Sequence, residues 1–469
     1  MRRRDVLDLS VPAGLAFLGE VVRRRSAPAG ESAGTQGLVS ADTQGFGRAK
    51  SVIVVVANGG MSQLESFDPR PEAPEAVRGQ FGAIETTVPG TFVCEHLPRM
   101  AKLAHRYAIV KSMSHDDLDH GSALYLTLTG TYHQRLSSNP PPRETDHPFF
   151  GPVLEQKRPA AKFLRTSVLV NGPALVPFEP GPGQFAGLLG RRFDSLVIGD
   201  VTTGQPAVPG LERLDSMDSK RHALRRQLLD QLESTEPLVA RPTIDMQTLY
   251  QQAYEMLDRP AARRALDLEA EPAGLRNRYG RNRAGQACLL ARRLVEAEVP
   301  LVTVMWNHSN RGQDRYPDDA EQFGWDTHND IFDVLGRSLL PRFDQSFSAL
   351  LEDLDQRGLL ETTLIVCLGE FGRAPLVALE SKFSGSSPGR KHWSAAYSIV
   401  VAGAGVRGGA TIGATDRQAA YPISTKYGPW DVTATLFHAL GIDPSSHFLD
   451  SSNRPYAISS GQPIAALYG

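Results

Sequence analysis

Histidine and carboxylate residues gather at a few points along this sequence. "SHDDLDHG" brings His115, Asp116, Asp117, Asp119 and His120 together, and "GWDTHND" does the same for Asp326, His328 and Asp330. Glu370 closes the apolar run "TTLIVCLGE", and His392 follows Arg390 and Lys391. Imidazoles and carboxylates without thiolates form a donor set for Zn, Mn, Fe, Mg or Ca. Two such ions about 4 Å apart can hold one oxygen of an anionic ester and activate a nucleophile opposite its leaving group. Within "DTHND" the spacing leaves the ligands open. Asp326 and His328 point to opposite sides of an extended loop, whereas Asp326 and Asp330 share a face once a helix has begun.

For these segments to meet, the chain must return repeatedly to one place, and its apolar patterning supplies the means. Continuous apolar, β-branched runs occur at 52–56, 107–114, 299–306, 362–370 and 396–405, as suits strands buried on both faces of a sheet. Helical patterns separate them. "GSALYLTLTG" closes at Gly130, and "GQACLLARRLVEAEV" spaces Leu289, Leu290, Leu294 and Val295 at helical intervals. "LLPRFDQSFSALLEDLDQRG" aligns Phe343, Phe347, Leu350, Leu351 and Leu354 before Gly358, and "PWDVTATLFHALGID" offers Asp431 as N-cap and Gly441 as stop. The alternation predicts an α/β fold, a mostly parallel sheet sandwiched between helices. Ligands of such sheets collect beyond the carboxyl ends of the strands. Asn58, the "SHDDLDHG" stretch, "WNHSN" leading to "DTHND", and Glu370 with Arg373 each follow a predicted strand, while His392 precedes the last. The expectation is that His115, His120, Asp326, His328, Glu370 and His392 meet around divalent metal, with Asp116 and Asp330 in reserve.

The interval 172–284 reads differently. It opens with the Pro/Gly-rich "NGPALVPFEPGPGQFAG" and continues through the charged helical segments "SKRHALRRQLLDQLE" and "MQTLYQQAYEMLDR". It is expected to be a helical insertion or cap on one domain spanning 48–469. Residues 1–47 read as leader and linker: "MRRRDVL", a short apolar stretch and "SAPAG" have the layout of a twin-arginine export signal. The expected location is periplasmic or extracellular, or cytoplasmic where the leader does not act. No other stretch approaches the roughly 20 apolar residues of a membrane-spanning helix. A formal net charge of −2 with interspersed signs supplies no basic face for nucleic acid. Cys94, Cys288 and Cys367 form no CxxC, which argues against a disulfide framework or a thiolate zinc site.

With these residues in view, the chain resembles a large bacterial family known as domain of unknown function 1501. The matching phrases are "NGGMSQLESFDPRP", "SMSHDDLDHGSALYLTLTG", "YGRNRAGQACLLARRLVEAEVPLVTV", "GWDTHND", "LIVCLGEFGRAP", "GRKHWSAAYSIVVAGAGVRGG" and "DVTATLFHALGIDP". That family in turn resembles the alkaline phosphatase and sulfatase superfamily. "ALYLTLTGTYHQ" is similar to a helix end of sulfatases, and the segment from Asp326 to Glu370 repeats the superfamily's order of metal ligands, helix, strand and acidic ligand. His392 falls where a late metal-binding histidine is expected.

The resemblance implies an exported, metal-dependent hydrolase of phosphate or sulfate esters, acting on a small anionic ester or a sulfated carbohydrate. Asn58 stands where the superfamily has its first metal-binding aspartate, and Glu370-Phe371 replaces Asp-His or Asp-Asn. The nucleophile position falls near His120, leaving Ser114 and Ser122 as neighbouring hydroxyls. On this reading Ser114 or Ser122 is a nucleophile made reactive by metal, or water attacks directly. Asn58 would hydrogen-bond an anion, and Arg373 would stabilise charge on the transferred group. The same departures leave a second class open, a catalytically inactive scaffold that binds a carbohydrate or a protein partner.

Overall fold

The structure, a computed structural model, describes residues 44–204 except 162 and 164, residues 224, 227 and 228, and residues 264–311 and 324–469. The strands of the main sheet and of the ribbon beside the site are β1 (Ser51–Val56), β2 (Tyr107–Met113), β3 (Ser167–Val170), β4 (Leu196–Ile198), β5 (Leu301–Met305), β6 (Thr363–Leu368), β7 (Gly372–Arg373), β8 (His392–Trp393), β9 (Tyr397–Ala402) and β10 (Thr411–Ile412). One eight-stranded sheet runs in the order β10-β2-β9-β6-β1-β5-β3-β4. Only β9 is antiparallel to its neighbours; the other pairings are parallel. The carboxyl ends of β1, β2, β5 and β6 therefore share an edge with the amino end of β9.

β1 shows why these runs are continuous rather than alternating. Ile53 and Val55 pack into one core with α4 (Arg283–Glu296) and α5 (Leu340–Gln356). Val52, Val54 and Val56 pack into the other with α1 (His120–Thr129), α2 (Phe150–Lys157) and α6 (Pro429–Ala439). Each residue from Val52 to Val56 faces a helical layer, so none of the five is free to be polar. Between Asp330 and α5 the chain makes a short helix, Ile331–Val334, then a wide turn at Leu335–Leu339. Pro341 follows in the first turn of α5. It has no N–H to give, and the wide turn carries the helix past it.

The five expected central strands are β1, β2, β5, β6 and β9. Two short strands beyond them, β3 and β4, extend the sheet's far edge. β4 lies inside 172–284, the interval expected to be a helical insertion. That interval thus adds a strand to the main sheet and a helix, α3 (Ala273–Tyr279), while most of 205–263 lies outside the described residues. The expected leader also lies outside them. α6 begins earlier than expected: Gly428 is its N-cap and Asp431 accepts from the Gly428 N–H at 2.8 Å. All three cysteines are buried and unpaired. Among the described residues no helix is long and apolar enough to cross a membrane.

Candidate metal centre

The inner side of the site is built from β1, β6 and α1. Gly59 follows β1 with φ +112°, and a Cβ there would lie 2.5 Å from Asp326 N and 2.6 Å from Asn310 O. Only glycine lets this loop press against the loop that carries Asp326. The Gly59 N–H donates to both oxygens of Glu370, at 2.8 and 3.1 Å. Glu370, fully buried beyond β6, then places Oε1 2.5 Å from Nδ1 of His120. His120 opens α1, and its N–H is capped by Asp119 Oδ1 at 2.9 Å.

The outer side is built from 326–330 and from the strap 374–391, which joins β7 to β8. The β7–β8 ribbon sets Arg373 opposite His392. Arg373 is buried and donates to the carbonyls of Gly59, Gly60 and Arg390 as well as to Asp326 Oδ1 at 2.8 Å. Asn329 clasps the strap. Its Nδ2 donates to the carbonyls of Glu380, Phe383 and Ser384, and its Oδ1 accepts from Glu380 N–H. Asp330 Oδ1 accepts from Ser386 N, Ser387 N and Ser387 Oγ. The clasped strap delivers two side chains to His328: Glu380 Oε2 lies 3.4 Å from Nδ1, and Phe383 stacks on the ring with centroids 3.8 Å apart.

At the centre sits Asp326 Oδ1. Nε2 of His120 lies 3.2 Å away, Nε2 of His328 3.2 Å and Nε2 of His392 3.3 Å. The His328 and His392 Nε2 atoms are 2.9 Å apart. Each histidine has its other nitrogen turned outward. His120 Nδ1 meets Glu370, His392 Nδ1 donates to Leu118 O at 2.7 Å, and His328 Nδ1 faces Glu380. Once the ring is neutral, an Nδ1–H bonded this way in His120 and His392 leaves the lone pair on Nε2, facing Asp326. His120 Nε2 is buried and lacks a hydrogen bond despite its closeness to Asp326. The donor atoms of His120, Asp326 and His392 all lie within 4.8 Å of one another, as the ligands of one ion with bonds of about 2.0–2.2 Å do, and His328 adjoins Asp326 and His392.

Charge follows the same pattern. Burial raises the Asp326 carboxyl, but His120, Arg373 and His328 outweigh it and hold Asp326 well below the usual carboxylate range. Burial would lower the His120 imidazole, yet Asp326 and Glu370 against its two nitrogens raise it to about 9. His392 is pushed down to about 4, by burial first and then by the charge on His120. Without a cation His120 is the charged, doubly protonated imidazole at neutral pH, and His392 is neutral, with its one proton on Nδ1.

Residues 49–468 match the family described as "Protein of unknown function (DUF1501)". The chain belongs to this family. No curated protein matches it by sequence. Among solved structures it is similar to Ps i-CgsB, at 11% identity over 90% of this chain and 76% of that one, with a TM-score of 0.42. It is also similar to the phosphonate monoester hydrolase SpPMH from Silicibacter pomeroyi, at 13% identity over 89% and 76% with a TM-score of 0.40. For the PsFucS1 sulfatase from Pseudoalteromonas sp. the values are 14%, 85%, 68% and 0.37.

This DUF1501 protein brings together His120, Asp326, His328 and His392, with Glu370 one contact behind His120. His115 lies beside them but is engaged otherwise: its Nε2 meets Glu370 O at 2.7 Å and its Nδ1 accepts from Asp117 N–H at 3.1 Å. Asp330 serves the strap, and Asp116 is exposed, its N–H donating to Tyr132 Oη. Ser122 Oγ is buried, donating to Asp117 Oδ1 at 2.7 Å and accepting from Ser138 N–H at 3.1 Å. Ser114 is half-buried, with its N–H on Tyr427 O. Asn58 is buried and donates from its amide nitrogen to Leu175 O at 3.3 Å. Arg373, expected to steady charge on a substrate, spends its donors on Asp326 and backbone carbonyls and acts as a positioning residue. Sequence reading missed Asn329, Glu380 and Phe383. The one signal for them was Asn329 itself, lodged between two expected ligands.

Proposed function

We propose that this protein is a metal-dependent hydrolase of phosphate or sulfate esters, with His120, Asp326, His328 and His392 holding the ion. The observation that carries the reading is the convergence of three imidazole Nε2 atoms on Asp326 Oδ1, with the His120 and His392 rings anchored through Nδ1 and His328 stacked on Phe383. A proton can bridge one such pair, whereas a divalent cation serves His120, Asp326 and His392 at once, with His328 beside them. An imidazole-rich set with one carboxylate suits Zn, Fe or Mn better than Mg or Ca, which prefer oxygen.

When bound, the ion would supply Lewis acidity and lower the pKa of an attached water. The chain's own groups do the positioning. Glu370 fixes the tautomer and angle of His120, Arg373 holds Asp326 ionised, and the strap holds His328. His392, the most exposed of the four, marks where a substrate arrives. The engagement of Ser122 supports water, rather than that hydroxyl, as nucleophile. In the balanced hydrolysis, water oxygen bonds to phosphorus or sulfur, the ester oxygen departs, and one proton from water goes to the alcohol. The twin-arginine-like leader supports export, which N-terminal sequencing of the periplasmic fraction tests; an intact Met1 confined to the cytoplasm would exclude it.

Metal analysis of the purified protein tests the central claim. Tightly held metal is expected in the natural protein and is lost in His120→Ala and His392→Ala, together with turnover of aryl phosphates or sulfates. Metal-free protein that stays inert after Zn, Fe or Mn is supplied would favour the inactive-scaffold reading.

A further inference from the structure

A buried ion pair outside the ligand set, Arg390 with Glu65, joins the segments that carry the outer ligands, and its part there rests on the metal reading. Arg390 stands two residues before His392. Both partners are 1% exposed. Arg390 Nε donates to Oε2 and Oε1 of Glu65 at 2.9 and 3.1 Å, and Nη2 donates to Oε1 at 2.6 Å. The other guanidinium hydrogens go to main-chain carbonyls: Nη2 to Val77 at 2.7 Å, Nη1 to Ala374 at 3.2 Å and to Pro375. Ser62 Oγ donates to Glu65 Oε2 at 2.5 Å. Every N–H of the fork thus has an acceptor, and the side chain is held by the loop after β1, by Val77 and by the start of the strap.

The backbone of Arg390 meets the outer ligands. Its N–H donates to Thr327 O at 3.2 Å, between Asp326 and His328. Its carbonyl accepts from Arg373 Nη1 at 3.3 Å, the same guanidinium that donates to Asp326 Oδ1. Next along the chain, Lys391 O accepts from Ala374 N–H at 2.8 Å, and His392 pairs with Arg373 across the β7–β8 ribbon. A buried ion pair is weak evidence for stability, since apolar residues of like size often serve a fold as well. A forked cation on a carboxylate does what they cannot: it fixes one placement and one orientation.

We infer that Arg390 and Glu65 are positioning residues of the metal centre. The pair holds the Arg390 backbone, and that backbone spaces His392 from Asp326 and His328. Glu65 itself is no ligand, because both its oxygens are spent on Arg390 and Ser62.

The full-length protein is compared with Glu65→Met/Arg390→Met, which removes both charges together and leaves no ion buried alone. Urea unfolding shows that the variant is folded, and the metal readouts are Zn(II) affinity by chelator competition and the visible spectrum with Co(II). Zn(II) is expected to bind at least about ten-fold more weakly, as when a group supporting a ligand is removed, and the cobalt spectrum to change. An altered spectrum, or loss of cobalt from folded protein, supports the inference. A folded variant with the natural cobalt spectrum overturns it, whatever its affinity. Should the double variant fail to fold, Arg390→Lys decides by the same spectrum, since it keeps a charge opposite Glu65 and lacks the fork. Natural protein that takes up neither Zn(II) nor Co(II) overturns the metal reading itself, and this inference with it.

Discussion

Two loops rich in histidine and aspartate, 114–120 and 326–330, reach the candidate metal centre by different means. In the first, only His120 projects inward. His115 is held by Glu370 O, Asp117 Oδ1 accepts from Ser122 and Ser137, and Asp119 caps α1. In the second, Asp326 and His328 project inward, while Asn329 and Asp330 turn outward to grip the strap. The first loop is braced from the buried interior, through a 2.5 Å contact between Glu370 and His120. The second is braced from the surface, through a 3.4 Å contact to a glutamate that also meets an exposed lysine. Residue type marks the loops that arrive at a site; the partners waiting there decide which side chains enter it. The contrast also predicts a stiff half and a soft half of one centre.

Breaking the point that both halves share should have the largest effect. Asp326→Ala removes the oxygen that all three histidines and Arg373 approach, and leaves the buried Arg373 guanidinium without its carboxylate. Loss of tightly held metal is expected, with about 3–5 kcal/mol of destabilisation in urea unfolding, as for a buried pair stripped of one partner. Retention of metal at natural affinity would remove Asp326 from the centre. Glu370→Gln breaks the stiff half alone. The amide keeps the shape but weakens the anchor on His120 Nδ1, so metal affinity measured by chelator competition should fall about 10–100-fold. An unchanged affinity would mean that His120 needs no brace.

How far such partners can be foreseen differs between fold and site. The central strands are legible because a run such as Val52 to Val56 is buried on both faces and leaves no polar position to confuse it. β3 and β4 escaped because four and three residues are too short to show a pattern. At the site, residue types disclosed the candidate ligands, and the strand ends disclosed where they would gather. The division between ligand and scaffold stayed hidden. His115 is decided by a carbonyl at Glu370, Asp330 by Ser386 and Ser387, and Arg373 by the carbonyls of Gly59 and Gly60. Each depends on how two distant loops are juxtaposed, and no periodicity within either loop encodes that.

Protonation sharpens the stiff half by a smaller factor. His120 is raised from 6.5 to about 9 in the metal-free protein, so its contribution to stability is complete below pH 6.5 and is lost as pH rises through 9. A metal ion must displace that proton. Affinity should therefore climb about ten-fold per pH unit between pH 7 and 8 and level off near 9, with about one proton released per ion. His392, pushed down to about 4, is already neutral in this range and adds none. Calorimetry in buffers of different ionisation enthalpy counts the released proton, and a flat pH profile would detach His120 from the ion.

The smallest effect belongs to the soft half. Asn329→Ala removes three donations to strap carbonyls, at 2.9, 3.1 and 3.2 Å, and one acceptance from Glu380 N–H at 2.8 Å. The strap is largely exposed, so water replaces part of what is lost and the cost should be about 1–3 kcal/mol. Glu380 and Phe383 then lose their hold on His328, while His120, Asp326 and His392 keep theirs. Metal should still bind one for one, a few-fold more weakly, and the visible spectrum of the Co(II)-loaded protein should change as one imidazole loosens. A loss as large as that of Glu370→Gln would make the strap as firm a brace as the core. An unaltered cobalt spectrum would place His328 outside the coordination shell and leave a centre of two histidines and one aspartate.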